Sequence, residues 1–225
     1  QLSLVDLEVF HNLEVVGFLN QSWSKPALQH RALSLVYFIE RLNRYSYWVA
    51  TMLLVQPTVY ERTNVLSKIL RVADVLLETS QNFHAIAGIV AGLNIAPIIR
   101  LKFTFNLLPK KDKIILDKIN AFMDPTSSYS NYRKSLLTRS LPLIPYLGIY
   151  LTDLTFIDEG NSDFIDGYIN QAKQDMIYDT IRDILVYKQS KYDIEPNILL
   201  QHFFRALPAL DAEDLYAISI NLEPR

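Results

Sequence analysis

Along most of the chain the apolar positions recur with a helical period. From Leu2 to Trp23 the set Leu4, Leu7, Val9, Phe10, Leu13, Val15 and Val16 is irregular, which predicts short helical turns rather than one long helix. After Pro26 the pattern sharpens: Leu33, Val36, Tyr37, Ile39, Trp48, Met52 and Leu53 keep helical spacing as far as Leu54, with Arg41-Leu42-Asn43-Arg44 as a polar interruption, so one or two packed helices are predicted. Thr58 and Glu61 stand at the spacing of a capping box, in which each side chain satisfies a backbone donor left over at a helix start. Val65, Leu66, Ile69, Val72, Ala73 and Leu76 then form the inward stripe, with Lys68, Arg71 and Glu78 elsewhere. Gly88 and Gly92, four apart, would let a second backbone approach one helical face, and Pro97 should end that helix. A further helix follows Pro109, with Ile114, Ile115, Ile119 and Phe122 inward and Lys110, Lys111, Lys113 and Lys118 interleaved with acids on a solvated face. Asp124-Pro125 opens a serine-rich turn, and Tyr129 to Leu137 returns to helix.

The stretch around which the rest is organised runs from Pro142 to Asn161. Leu141 to Ile157 is nearly all apolar, but Pro142, Pro145 and Asp153 argue against a bilayer span, which wants about 20 uninterrupted apolar residues. The run ends in Asp158-Glu159-Gly160-Asn161, read as a polar turn. Ile169, Ala172, Met176, Ile181, Ile184 and Leu185 follow at helical spacing, so the two limbs predict a helical hairpin over about 142–189. The tail holds Phe203-Phe204, Pro208 and a closing segment, Tyr216 to Leu222, that should pack on the core. Period-two alternation is almost absent, no repeat occurs, and the 10 prolines fall mostly between proposed helices, so the class is all-α.

Composition narrows the possible functions. The 225 residues carry no linker, so one domain over 1–225 is expected, and the chain opens as though cut from something longer, without the basic and apolar regions of a signal peptide. Hydrophobic residues make up 50% and the formal net charge is −2, which excludes disorder and a general electrostatic grip on nucleic acid. The absence of cysteine removes disulfides, thiolate metal sites and cysteine nucleophiles. No phosphate-binding Gly-rich loop and no Gly-x-Ser-x-Gly elbow occurs. His11, His30, His84 and His202 lack ligand spacing and read as surface or satisfied core residues; Asp158 and Glu159 stand too far along the chain from Asp153 for a one-face magnesium cluster. No metal and no cofactor is therefore expected.

Particular residues go further. The run Ile144-Pro145-Tyr146-Leu147-Gly148-Ile149-Tyr150-Leu151-Thr152-Asp153-Leu154-Thr155-Phe156-Ile157-Asp158-Glu159-Gly160-Asn161 closely resembles the catalytic domain of Ras-family guanine-nucleotide exchange factors. Trp48-Val49-Ala50-Thr51, Asn82-Phe83, Leu93-Asn94, Arg100-Leu101, Asn131-Tyr132-Arg133, Ile169-Asn170 and the closing Glu223-Pro224-Arg225 extend the resemblance over essentially the whole chain. It implies an all-helical bowl with a protruding hairpin that acts as a wedge, displacing switch 1 of a Ras-, Rap- or Ral-type GTPase. It implies a regulator without covalent chemistry, cytoplasmic and brought to membranes by other parts of the full-length protein. A relative that binds a GTPase without exchange activity is the alternative.

On this resemblance Thr155 stands where the family projects a side chain toward the magnesium site. Glu159 stands where a carboxylate engages the phosphate-loop serine, and Thr152 lies on the same limb. The switch 2 anchor maps to Ile39, Ala87, Leu93, Tyr129 and Tyr146, with Asn94 as polar partner and Glu40, Leu42 and Asn43 extending the rim. Two departures stand out. Ala87 is small for an anchor position, and Gln171-Ala172-Lys173-Gln174 lacks the Phe and the second basic residue common after Ile-Asn.

Overall fold

The structure is a computed structural model that describes residues 1–223; Pro224 and Arg225, part of the resemblance above, lie outside the described residues. The elements follow in the order α1 (Leu2–His11), α2 (Leu33–Leu54), α3 (Val59–Glu78), α4 (Phe83–Asn94), α5 (Ala96–Ile99), α6 (Lys102–Asn106), α7 (Lys110–Phe122), α8 (Ser130–Leu136), α9 (Leu147–Gly160), β1 (Phe164–Ile165), β2 (Tyr168–Ile169), α10 (Gln171–Val186), α11 (Ile198–Ala206) and α12 (Ala212–Leu222). The fold is all-α apart from the two-residue strands. Within Leu2–Trp23 the expectation of short turns holds for the 3-10 stretch Val15–Gln21, while Leu2 to His11 instead forms one ten-residue helix; a second 3-10 stretch, Pro26–Arg31, precedes α2.

The centre of the fold is the α2–α4 pair. α2 runs unbroken through Arg41-Leu42-Asn43-Arg44, so the predicted polar interruption does not exist. The reason is that Arg41 turns inward, where Asp6 of α1 receives its guanidinium in a fully buried pair. The glycine pair on α4 does what its spacing suggested. A methyl group at position 88 would stand 2.5 Å from Tyr45 Cβ, and one at position 92 would stand 2.6 Å from the Ser46 carbonyl oxygen and 3.0 Å from Ser46 Cα. Because the second obstacle is backbone, Gly92→Ala must push the two helices apart. Alanine's intrinsic helix advantage of about 1 kcal/mol works against a comparable or larger overpacking cost of about 1–3 kcal/mol, so a net loss of about 1 kcal/mol is expected. Urea denaturation checks it, and an unchanged midpoint would show that the contact can relax.

The capping box forms as read: Thr58 Oγ1 accepts the Glu61 N–H at 3.2 Å while Glu61 accepts the Thr58 N–H at 3.1 Å. Some individual assignments change. Val72 of α3 faces solvent, and Ile114 of α7 is 60% exposed, since the core-facing stripe of that helix is set by Ile119, Ile115 and Phe122. Pro97 does not simply stop a helix; it occupies the first turn of the short α5, where its missing N–H costs nothing.

Buried side chains form two clusters. The larger joins α2, α3, α4, α7 and Tyr132 of α8; the smaller joins α1, the first half of α2, α9 and Ile181 and Ile184 of α10. A single parallel bridge links the base of the hairpin to the start of α4: the Phe83 N–H donates to the Ile144 carbonyl at 2.9 Å, and the Ile144 N–H to the Gln81 carbonyl at 3.0 Å. α9 and α10 pack antiparallel as the hairpin's limbs. The join differs from the prediction. Asp158, Glu159 and Gly160 are the last turn of α9, not a polar turn, and β1 pairs with β2 through Asp166-Gly167 at the tip. Ile169 therefore lies on the exposed ribbon, and Met176 of α10 is also exposed. In the tail α11 packs on α1, and α12 on α2 and α5.

Candidate functional site

α9 buries Leu147, Ile149, Leu151 and Leu154 and leaves the opposite face open. Residues four and three apart share a helical face, so Thr152, Phe156 and Glu159 line up on that open side, all exposed. Phe156 is 69% exposed. The sequence reading took it as part of the apolar run; the signal that finds it is the i, i+4, i+7 relation to Thr152 and Glu159. Thr152 and Thr155 both turn their hydroxyls back into the helix, donating at 2.8 Å to the Gly148 and Leu151 carbonyls, and Thr155 is half-buried.

The three acids of α9 part company. Asp153 holds Arg133 of α8 through two parallel bonds of 2.8 and 2.9 Å. Asp158 accepts Gln21 Nε2 at 2.8 Å and pairs with Lys173 at 3.0 Å. Burial pushes its carboxyl up, but the bonds from Lys173 and Gln21 outweigh that and hold it below the usual carboxylate range. Glu159 has no ion-pair partner among the described residues and stands exposed. Two of these charges are thus paired within the domain, and the third is solvent-exposed.

Tyr146 sits at the N-cap of α9. Its N–H donates to the Tyr132 hydroxyl at 2.8 Å, and its ring meets Tyr129 edge-on with centroids 6.1 Å apart. Burial, with Tyr129 adding, pushes its hydroxyl up to about 12, so it is neutral. A methyl group at Gly148 would stand 2.3 Å from the ring, so any side chain there would displace the Tyr146 ring from this position. Tyr129 itself is left-handed, φ 58°, a strained conformation for an aromatic residue.

The other predicted contact residues are distributed. Leu42, Ala87 and Leu93 belong with Tyr129 and Tyr146 to the larger cluster, whereas Ile39 packs against the smaller one. Ala87 and Leu93 are buried, so they support a surface rather than present one. Leu93 and the exposed Asn94 border a cavity of about 320 Å³ shared with Phe105 and Asn120. Glu40 and Asn43 face a separate groove with Tyr47 and Ala209 to Ala212.

His84 corrects one expectation. It is buried against Phe38, ring centroids 3.8 Å apart, with neither ring nitrogen in a well-formed hydrogen bond, so it is at best a weakly satisfied core residue. Burial, opposed by Asp6 and aided by Arg41, lowers its pKa to about 4 and keeps it neutral. Among the described residues no three His, Asp or Glu side chains gather where they could hold a metal ion, and no helix is long and apolar enough to cross a membrane.

Fold and site together define a class: an all-α module whose distinguishing part is a helical hairpin, its first limb ending in an exposed carboxylate, Glu159, that has no ion-pair partner among the described residues, with an aromatic pair at the hairpin's base. The model of the RasGEF domain matches residues 1–175. Across its whole length the chain is 37% identical to Ras guanine nucleotide exchange factor J of Dictyostelium discoideum, covering 28% of that protein, and 36% identical to factor I, covering 27%. Factor S of the same organism is 35% identical over 235 residues. The chain therefore belongs to the RasGEF domain family, and it spans about a quarter of the length of these curated relatives.

Proposed function

We propose that this domain is a guanine-nucleotide exchange factor for a Ras-family GTPase. The hairpin is the wedge: its open face, Thr152, Thr155, Phe156 and Glu159, enters beside the nucleotide, opens switch 1 and disturbs the Mg²⁺ and phosphate site. Switch 2 is held at Tyr146 and Tyr129 with Ile39, Leu42 and Asn94 beside them; Ala87 and Leu93 back that surface from within the core, and Glu40 and Asn43 extend the rim along the neighbouring groove of α2. The observation that carries this reading is the uncommitted Glu159 at the end of a helix whose other acids are both paired. An anion placed where phosphate oxygens had been opposes their return. The factor needs no bond chemistry, because differential affinity for the nucleotide-free GTPase is enough to weaken nucleotide binding. Excess nucleotide then completes the exchange.

The test is release of a fluorescent GDP analogue across a panel of Ras-, Rap- and Ral-type GTPases. Acceleration on at least one is expected, with Glu159→Ala lowering the maximal rate at saturating factor while affinity for nucleotide-free GTPase changes by less than about threefold, under 1 kcal/mol. Binding without acceleration would replace this reading with that of a GTPase-binding module. A Glu159→Ala variant that exchanges at the parent rate would remove the wedge carboxylate from the mechanism.

A further inference from the structure

The far end of the hairpin is built around one buried cation. Lys173 lies in the first turn of α10 with its side chain 3% exposed. Its Nζ reaches Asp163 Oδ1 at 2.7 Å and Asp158 Oδ1 at 3.0 Å, and donates to the Asp158 backbone carbonyl at 3.1 Å. These contacts tie together three segments: the last turn of α9, the connection after it and the start of α10.

The position is odd for α10 itself, because a cation at a helix N-terminus opposes the helix dipole. It makes sense for α9. The carbonyl of Asp158 is among the last four of that helix, which have no partner N–H within it. At the C-cap only the Asn161 side chain returns, donating to the Ile157 carbonyl at 3.0 Å. Lys173 thus supplies both a donor and a positive charge at the negative end of α9. Asp158 is also gripped on its other oxygen by Gln21 at 2.8 Å, with Lys25 at 3.6 Å, so the last turn of α9 is fastened to the 3-10 stretch as well. Asn170 closes the connection, its side chain donating to the Ser162 carbonyl at 2.9 Å and its N–H to the Asp163 carbonyl at 2.8 Å.

Glu159 is the residue next to Asp158 in that turn. We propose that Lys173 is a positioning residue: by clamping the end of α9 through Asp158 and Asp163 it fixes the direction in which Glu159 points. The inference rests on the reading of Glu159 as the wedge carboxylate. Without the cation, Asp158 and Asp163 face each other with the α9 terminus unsatisfied, and the last turn opens.

The experiment compares the parent domain with Lys173→Met, Lys173→Arg, Asp163→Asn, Glu159→Ala and the Lys173→Met/Glu159→Ala double variant. Amide hydrogen exchange is read at residues 158–160, together with the maximal exchange rate and affinity for nucleotide-free GTPase. In Lys173→Met, protection at 158–160 should fall about tenfold while the α2 and α4 amides keep theirs. The maximal rate should fall with little change in affinity, and the double variant should be no slower than Glu159→Ala alone, because both changes remove one function. Lys173→Arg should recover most of the rate, and Asp163→Asn, which keeps the buried cation, should show the same pattern more weakly and serve if Lys173→Met does not fold. Unchanged protection at 158–160, or an equal further loss in the Glu159→Ala background, overturns the proposal. A parent domain that releases nucleotide from no GTPase overturns the exchange reading and the role of Glu159 with it, while the amide exchange still decides separately whether Lys173 holds the turn.

Discussion

Asp6→Ala is expected to cost the domain about 3–5 kcal/mol of stability, because it strands a buried cation rather than removing a contact. Asp6 is fully buried and accepts Arg41 Nε at 2.9 Å, Arg41 Nη2 at 2.7 Å, the Tyr45 hydroxyl at 2.7 Å and Asn82 Nδ2 at 2.7 Å. Burial by itself would drive the Arg41 pKa down; Asp6 and Tyr45 more than compensate and raise it, so the guanidinium stays charged in the core. With Asp6 gone, its remaining acceptor is the Phe204 carbonyl, at 3.4 Å, besides the Tyr45 hydroxyl. Total stabilities of domains are about 5–15 kcal/mol, so the loss is a large fraction of the whole. Replacing both partners by apolar residues, Asp6→Leu with Arg41→Met, should cost markedly less, since no charge is then left unpaired. Urea denaturation of the three proteins checks this; a loss below about 1 kcal/mol for Asp6→Ala would show that water or a rearranged Tyr45 solvates Arg41.

The same network shows what a sequence can and cannot reveal. The capping box at Thr58 and Glu61 and the periodicity of the two hairpin limbs depend on neighbours within a few residues, and the spacing carries them; Gly88 and Gly92 showed by their own spacing that a backbone could come close, but not that it would be α2 at Tyr45 and Ser46. Arg41 looked like part of a polar break because its partner, Asp6, is brought to it only by folding. The acids of α9 were alike in the sequence for a related reason. Arg133, Gln21 and Lys173, which separate them into two structural residues and one uncommitted one, come from three different parts of the chain. The short ribbon at the tip has two residues per strand, too few for any period to register, although Asp166-Gly167 is a hairpin-turn pair and Gly167 takes φ 83°. Phe156 was hidden by the assumption that an apolar residue within an apolar run faces the core. Of the predicted contact residues, Tyr129 and Tyr146 meet, while Glu40 and Asn43 open onto a different groove from Leu93 and Asn94.

Tyr146→Ala should weaken the complex with nucleotide-free GTPase roughly 30-fold or more, the equivalent of about 2 kcal/mol. The ring is placed by three independent constraints: the backbone bond to Tyr132, the edge-on contact with Tyr129 and the bare surface of Gly148 under it. An aromatic side chain held this way binds with little rotamer entropy left to lose, which is what makes such residues dominate interfaces. It is only half-buried in the free domain, so part of the ring remains for a partner to cover. Truncation removes that surface and also frees Tyr129, whose strained backbone is supported on one side by the Tyr146 ring. The bond from the Tyr146 N–H to Tyr132 is a backbone contact and survives the substitution, so the start of α9 and the wedge face should stay in place. The two halves of the proposed interface would then fail differently: Tyr146→Ala loses affinity, whereas Glu159→Ala loses maximal rate. Titrating each variant against nucleotide-free GTPase, and measuring release at saturation, separates them. If Tyr146→Ala binds the nucleotide-free form as tightly as the parent, switch 2 is not anchored at the aromatic pair, and the anchor must be sought along the α2 groove at Glu40, Asn43 and Tyr47 instead.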